Sequence, residues 1–362
     1  MWPYVVLIIV PVIVQHIRLK GSMLYVAKPG EGNSSGALKC FFGILLAMLI
    51  LRHETVGVDL QNYTYIFKSI SKSGWQNTLG RSAEIGYSAL NKVISLFTDE
   101  FFWVQIAAAV LAVYFMAQAY IRYSDDAALT IALFVMLSNF ILLFSGLRQA
   151  IAISFGFVAF ECVKRKKLLL FLLVVVLSIL FHTSAFMLIF MYPLYHMRIT
   201  KKWLLWIIPV LVVVFIFNRQ IFGALAVFLG MFTKYDAEIS STGAYMMLVL
   251  FALLAAFAYL IPDDEKMDAE TIGLRNFLLL SVVLQMFATL HDLAMRMNYY
   301  YMAFIPLLIP RVITYKSKRW NQVAVVARDV MVVFFVAYFF IKAPEDNSLH
   351  TFPYHFFWEN VR

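Results

Sequence analysis

Long apolar runs separated by short polar stretches constrain this chain more than any other feature. About twelve are long enough to approach a crossing of a hydrocarbon core about 30 Å thick. They lie near Trp2 to Ile17, Ala37 to Leu51, Phe101 to Ile121, Ala127 to Phe144, Ala150 to Val163 and Leu168 to Phe181. The later ones lie near Ser184 to Met197, Trp203 to Phe217, Ala244 to Ile261, Ile272 to Leu290, Asn298 to Ile313 and Val323 to Ile341. A backbone in lipid must satisfy its own hydrogen bonds, and continuous rather than alternating apolar runs favour helices over a barrel. Only 14% of the residues are charged and 62% are hydrophobic, against about 25% charged in soluble domains, so polar groups cannot cover the surface in water. The expectation is an all-α, polytopic integral membrane helical bundle of about 10–12 transmembrane helices, a single transmembrane domain over residues 1–362.

The formal charge of +9 would suit a nucleic-acid partner, but its basic residues sit in short clusters between apolar runs. That arrangement reads as topology, because cytoplasmic loops collect Lys and Arg. The clusters are Arg18, Lys20, Lys28 and Lys39; Arg122; Lys164 to Lys167; Arg198, Lys201 and Lys202; and Arg311, Lys316, Lys318 and Arg319. They share one side only if the chain turns back at His182, which places both termini outside. Two longer segments, about 52–100 and 218–243, then face outward, and neither is a domain. Within the first, Tyr87, Leu90, Ile94 and Phe97 recur at helical spacing with polar residues between them, predicting an interfacial amphipathic helix. The first run lacks a basic n-region and a small-residue cleavage site, so it is expected to be a retained helix.

Cys40 and Cys162 are the only cysteines, which argues against a disulfide framework or a Cys-based metal site. No HExxH, Walker A, GxSxG or dinucleotide fingerprint occurs, and no internal repeat is evident.

Charges beside apolar runs are costly, roughly 2.5–3.5 kcal/mol at mid-membrane, so they mark functional candidates. In the preferred topology Arg52, Glu54, Asp59, Glu84, Arg148, His182, His291, Asp292 and Arg296 all meet the outer surface. Some candidates have a plainer reading. Arg148 before an apolar run could be a snorkelling anchor, His182 a hydrogen-bonded turn residue, and Tyr299 to Tyr301 an interface belt rather than a stacking platform. Asp125, Asp126, Asp263, Asp264 and Glu265 read as solvated turns rather than metal ligands. Three arginines at one level suit a lipid pyrophosphate, because a guanidinium forms bidentate bonds to phosphate oxygens. A hydroxyl acceptor would need a base, and His182, Glu84 and Asp59 are the candidates.

The segment Arg52-His-Glu-Thr-Val-Gly57-Val-Asp59 followed by Tyr63 resembles the N-terminal signature of the EpsG family of exopolysaccharide proteins, relatives of Wzy-type polymerases. Further matches lie at Glu84-Ile-Gly86-Tyr87, Leu147-Arg148-Gln149-Ala150-Ile151-Ala152 and Phe181-His182-Thr183-Ser184-Ala185; Arg296 with Tyr299 and Tyr300 is a looser one. The resemblance implies a metal-independent, cofactor-free glycosyltransferase joining polyprenyl-pyrophosphate-linked oligosaccharide repeats at the outer face of the bacterial cytoplasmic membrane. It implies exopolysaccharide, capsule or O-antigen biosynthesis, with membrane lipid, a chain-length co-polymerase and a flippase as partners and no nucleic acid. The candidate catalytic residues are His182, Glu84 and Asp59, and the candidate substrate-binding residues Arg52, Arg148, Gln149, Arg296, Tyr87 and Tyr299. Two other classes stay open on the residues alone: a flippase of lipid-linked sugars, whose intramembrane charges would line a path, and a membrane acyltransferase, for which His291-Asp292 is the one adjacent His–acid pair.

Overall fold

A computed structural model describes residues 1–20, 23–26, 34–80, 84–228, 244–260, 267–314, 321–345 and 347–360. The fold is all-α apart from one short antiparallel hairpin, and it falls into two compact units, Met1–Ile189 with Val325–Arg362, and Phe190–Ala324. Asp263, Asp264 and Glu265 lie outside the described residues, as does most of segment 218–243.

The first unit begins with α1 (Trp2–His16), the hairpin β1 (Ile17–Lys20) and β2 (Met23–Val26), and α2 (Ser34–Leu51). Three short helices follow in the predicted outward segment: α3 (Leu60–Ser71), α4 (Trp75–Gly80) and α5 (Ile85–Ile94). Then come α6 (Phe101–Tyr123), α7 (Ala127–Met136), α8 (Ser138–Ser145), α9 (Leu147–Lys164) and α10 (Leu168–Phe181). Gln105 on α6 stitches this helix to the end of α2, its amide donating to the Leu49 and Ile50 carbonyls at 3.1 and 2.9 Å.

At His182 the backbone turns extended (φ −155°, ψ 124°) and a 3-10 segment, Thr183–Phe190, begins. Gln149 reaches Ser184, and Gly156 leaves room for Leu188. Successive residues of this segment therefore run along α9 in α9's own direction, whereas α10 runs back from the far end of α9. The chain reverses at His182.

The second unit holds α11 (Met191–His196), α12 (Lys201–Ile216), α13 (Asn218–Phe228), α14 (Tyr245–Leu260), α15 (Ala269–Ala288), α16 (Asp292–Met302) and α17 (Ile305–Thr314). Its centre is polar where the sequence reads as a plain apolar span. Arg275 on α15 is fully buried, donates to the Ile199 carbonyl at 2.7 Å and lies 4.0 Å over the Tyr259 ring. Asn276 donates to the Leu194 and Met197 carbonyls at 2.8 and 2.7 Å, closing the end of α11. Tyr299, Tyr300 and Tyr301 are buried in this unit, so they do not form the exposed interface belt that the sequence suggested.

Helix α18 (Asn321–Glu345) returns to the first unit. Its Arg328 makes a bidentate pair with Asp126 at 2.7 and 3.0 Å, and Asp126 also caps α7 through the Leu129 N–H. Asp126 is thus a structural ion pair and not the solvated turn expected. The residues after α18 lie back on the end of α2: Phe357 N–H donates to Leu51, His53 N–H to His355, Gly57 N–H to His350 and Val58 N–H to Leu349, all at 2.8–3.1 Å. Tyr4 OH and Tyr354 OH fasten the two ends further, donating to Thr351 and Met48 carbonyls at 2.6 and 2.7 Å.

Among the described residues, α2, α6 and α15 are each long and apolar enough to cross a membrane, and the count reaches five if α7–α8 and α12–α13 are each one bent span. Three further apolar helices are shorter. Of the runs behind the sequence estimate of about 10–12, the structure breaks Ala127 to Phe144 at Leu137 into α7 and α8, and the helices on either side of His182 are shorter than a full crossing.

The α5 segment is amphipathic with its faces reversed. Glu84, Tyr87, Ser88, Asn91 and Lys92 are buried against protein, while Ile85, Val93, Leu96 and Phe97 are exposed. Lys92 explains part of this, because its ammonium donates to the Ile70 and Ser71 carbonyls at the end of α3, where a helix dipole favours a cation.

Gly57 has φ +109°, and a Cβ there would collide with the Phe144 carbonyl. Such a backbone excludes L side chains at a cost of about 1–3 kcal/mol before the collision is counted. Gly57→Ala should therefore lower the melting temperature by at least about 2–4 °C, whereas Gly74→Ala, with open space around its Cβ position, should melt within about 1 °C of wild type. Equal melting of the two variants would refute the close approach.

Candidate functional site

Glu84 precedes α5, Arg148 opens α9 and His182 ends α10, and the fold brings these three to one point in the first unit. The Glu84 carboxylate accepts a hydrogen bond at Oε1 from His182 Nδ1 at 2.5 Å and pairs through Oε2 with Arg148 Nη1. Gly86 suits this close approach, since a Cβ there would lie only 3.0–3.1 Å from the Leu180 carbonyl and the Phe181 ring. A larger residue would push Glu84 away from His182.

The electrostatics follow from partial burial. Only 9% of the Glu84 side chain is exposed, with 13% for His182 and 36% for Arg148. Burial alone would raise the Glu84 carboxyl, but the His182 hydrogen bond and the Arg148 charge together hold it below the usual carboxylate range. Glu84 is therefore an anion at neutral pH.

Tyr63 on α3 lies beneath Arg148. Its hydroxyl oxygen accepts from Arg148 Nε at 3.4 Å, its ring sits 5.4 Å from the guanidinium carbon, and its edge packs on Tyr87 with 5.4 Å between ring centres. Asp59, which precedes α3, accepts from the Ser145 hydroxyl at 3.1 Å and donates its own N–H to the same oxygen at 3.3 Å. This ties the Arg52–Asp59 segment to the start of α9. Gln149 donates to Ser184 at 3.4 Å, fixing α9 against the turn that follows His182.

Arg52 is placed differently from Arg148. It is 2% exposed, donates through Nη1 to the Leu143 carbonyl at 3.2 Å and lies 5.7 Å from the centre of the Phe144 ring. Burial lowers it to about 10, which leaves it a cation at neutral pH. Arg296 and Tyr299 belong to α16 in the second unit, where Arg296 is exposed. His291 acts there as a helix cap, accepting the Leu293 N–H at 3.0 Å, with its ring stacked on Phe222. The sequence reading placed Glu84, Arg148 and His182 at one membrane level; the structure brings these three into contact, sets Asp59 and Gln149 beside them on Ser145 and Ser184, and adds the chain after α18, which the sequence reading did not include.

The site lies at one end of the first unit. Helix α9 runs 18 residues from Leu147 to Lys164, about 27 Å of rise. The far end carries Arg122, Glu161 and Arg165 in ion pairs, with Lys164 over the Tyr123 ring.

The EpsG family profile matches residues 37–356 of 362. The chain belongs to the EpsG family. Comparison with curated proteins and with solved structures gave no match. The EpsG match takes in every residue of the Glu84 cluster and extends to Phe356, which forms an antiparallel bridge with Arg52. With its apolar helices, family membership makes this a multi-pass membrane protein.

The lowered Glu84 fixes a sign for acid stability. A carboxyl depressed in the folded state contributes stability that is complete above its unfolded pKa, about 4.3, and is lost as the pH falls through its folded value. Glu84→Gln should melt lower than wild type at neutral pH, and the gap should narrow as the pH falls below about 4. Melting curves recorded from pH 7 to pH 3 test this; a constant gap would contradict the pairing.

Proposed function

We propose that this EpsG-family chain is a polysaccharide polymerase that joins polyprenyl-pyrophosphate-linked oligosaccharide repeats at the outer face of the bacterial cytoplasmic membrane. The observation that carries this reading is one carboxylate, Glu84, shared by a cation suited to phosphate and an imidazole suited to proton transfer. An acceptor hydroxyl attacks the anomeric carbon of the donor sugar. The new C–O bond forms as the bond from that carbon to the phosphate oxygen breaks, and its electron pair leaves on the polyprenyl pyrophosphate. The hydroxyl proton passes to a base.

His182 is the better base. Glu84 is held below the usual carboxylate range and is a weak proton acceptor, and Asp59 is engaged with Ser145. With Nδ1 hydrogen-bonded to Glu84, the imidazole offers Nε2 to the acceptor, and Glu84 steadies the imidazolium that forms. Arg148 answers the charge that grows on the leaving group. It also sits in the first turn of α9, whose N-terminal dipole favours an anion. The same cluster at the end opposite Arg122 and Lys164–Lys167 fits an outward site under the rule that basic loops face the cytoplasm. A chain-length co-polymerase and a flippase remain its natural partners, and exopolysaccharide, capsule and O-antigen remain its product classes.

Lysine keeps the charge of Arg148 but not the planar fork. Arg148→Lys should slow polymerisation by about tenfold or more, the value of one charge-assisted contact, while membrane abundance stays normal. Wild-type rate at equal abundance would make Arg148 an interface anchor and move the pyrophosphate site to Arg52 or Arg296. Because guanidinium groups neutralise the leaving phosphate in this scheme, polymerisation should continue at an unchanged rate in EDTA. Loss of polymer in EDTA, restored by a divalent ion, would contradict it.

A further inference from the structure

Arg148 has three nitrogens with which to meet an anion, and the first unit occupies two of them. Glu84 takes Nη1 and Tyr63 takes Nε, while Nη2 has no protein partner among the described residues. The two holders differ in kind. Glu84 is charged and is itself held by His182; Tyr63 is neutral and 3% exposed, with its ring packed in a T-shaped pair with Tyr87. The Tyr63 ring also lies under the guanidinium plane at a distance where a cation and a π face attract. Burial raises the phenol above its ordinary value, so its oxygen stays a neutral acceptor across the working pH range.

We propose that Tyr63 is the positioning residue of the anion site: it fixes the rotation of the Arg148 fork so that the Nη2 edge is presented to a pyrophosphate oxygen. The idea rests on the reading of Arg148 as the pyrophosphate ligand. Arginine gains over lysine only when its plane is oriented, because two N–H bonds must be aimed together. A guanidinium paired with Glu84 alone could swing about that contact. The Tyr63 oxygen on one edge and the Tyr63 ring on one face remove that freedom, so less rotamer entropy is lost when the anion arrives.

The test uses the purified full chain in lipid nanodiscs, titrated with inorganic pyrophosphate by calorimetry, with polymerisation measured in parallel. Tyr63→Phe keeps the ring and removes only the oxygen. It should weaken pyrophosphate binding by about three- to tenfold at an unchanged number of sites and an unchanged melting temperature, and lower kcat/KM by a similar factor. Tyr63→Leu should be weaker still, since the ring contact is lost as well. Tyr65→Phe, at a position 73% exposed on the same helix, should bind as wild type does. A merely structural Tyr63 would lower the melting temperature or the number of competent sites and leave the affinity of the folded molecules unchanged; that result overturns the proposal. If wild type binds pyrophosphate, Arg148→Lys does not, and Tyr63→Phe binds normally, Arg148 keeps its role and Tyr63 loses its own. If Arg148→Lys binds as well as wild type, both assignments fall together.

Discussion

The site depends on a buried carboxylate that two opposite partners must satisfy at once. Glu84 is almost enclosed, and an unpaired charge in such a place costs several kcal/mol; His182 and Arg148 meet that cost from the ends of two different helices. Neither partner can be withdrawn without exposing the other contact to strain. This makes the triad a single electrostatic unit rather than three independent residues, and it links the group proposed to meet phosphate with the group proposed to take a proton.

Holding three chain segments to tenths of an ångström requires a rigid support, and the first unit builds one from backbone contacts. Gly86 lets α5 touch the end of α10, and Gly57 lets the segment after α2 touch Phe144. Ser145 and Ser184 then anchor Asp59 and Gln149 on either side of Arg148. Residues after α18 lie along Leu51 to Val58 with ladder-like hydrogen bonds, and Tyr4 and Tyr354 pin both ends of the chain to that seam. The Arg52 guanidinium fills the space below, with Nε and Nη2 buried and without a hydrogen-bond partner among the described residues. That placement gives Arg52 a role closer to shaping the site than to lining it.

Much of this was legible in the chain itself. Hydropathy gave an all-α membrane protein, and basic clusters gave the reversal at His182 that the Gln149–Ser184 and Gly156–Leu188 contacts now describe. The short motifs gave Glu84, Arg148 and His182 as members of one family pattern. Their contact was not legible, because Glu84 and His182 are 98 residues apart and periodicity reports only neighbours three and four positions away. The break inside Ala127 to Phe144 was hidden for a related reason: hydropathy averages over a window and is blind to one extended residue such as Leu137. The polar residues of the α5 segment were read as facing out, yet Ser88, Asn91 and Lys92 are buried, and Arg275 and Asn276, inside a run that hydropathy reads as plain apolar, bond the Ile199, Leu194 and Met197 carbonyls. In a lipid-facing protein the apolar side can be the outer one, which reverses the rule used for soluble domains.

The central proposal is that the Glu84 cluster makes glycosidic bonds and does not merely move its substrate. The direct measurement is to incubate the purified chain with one defined polyprenyl-pyrophosphate-linked repeat unit and follow both the glycan and the lipid. A ladder of longer glycans, with one polyprenyl pyrophosphate released for each new bond, is the predicted result. Repeat units that change sides of the membrane while staying single, with no pyrophosphate released, would contradict it.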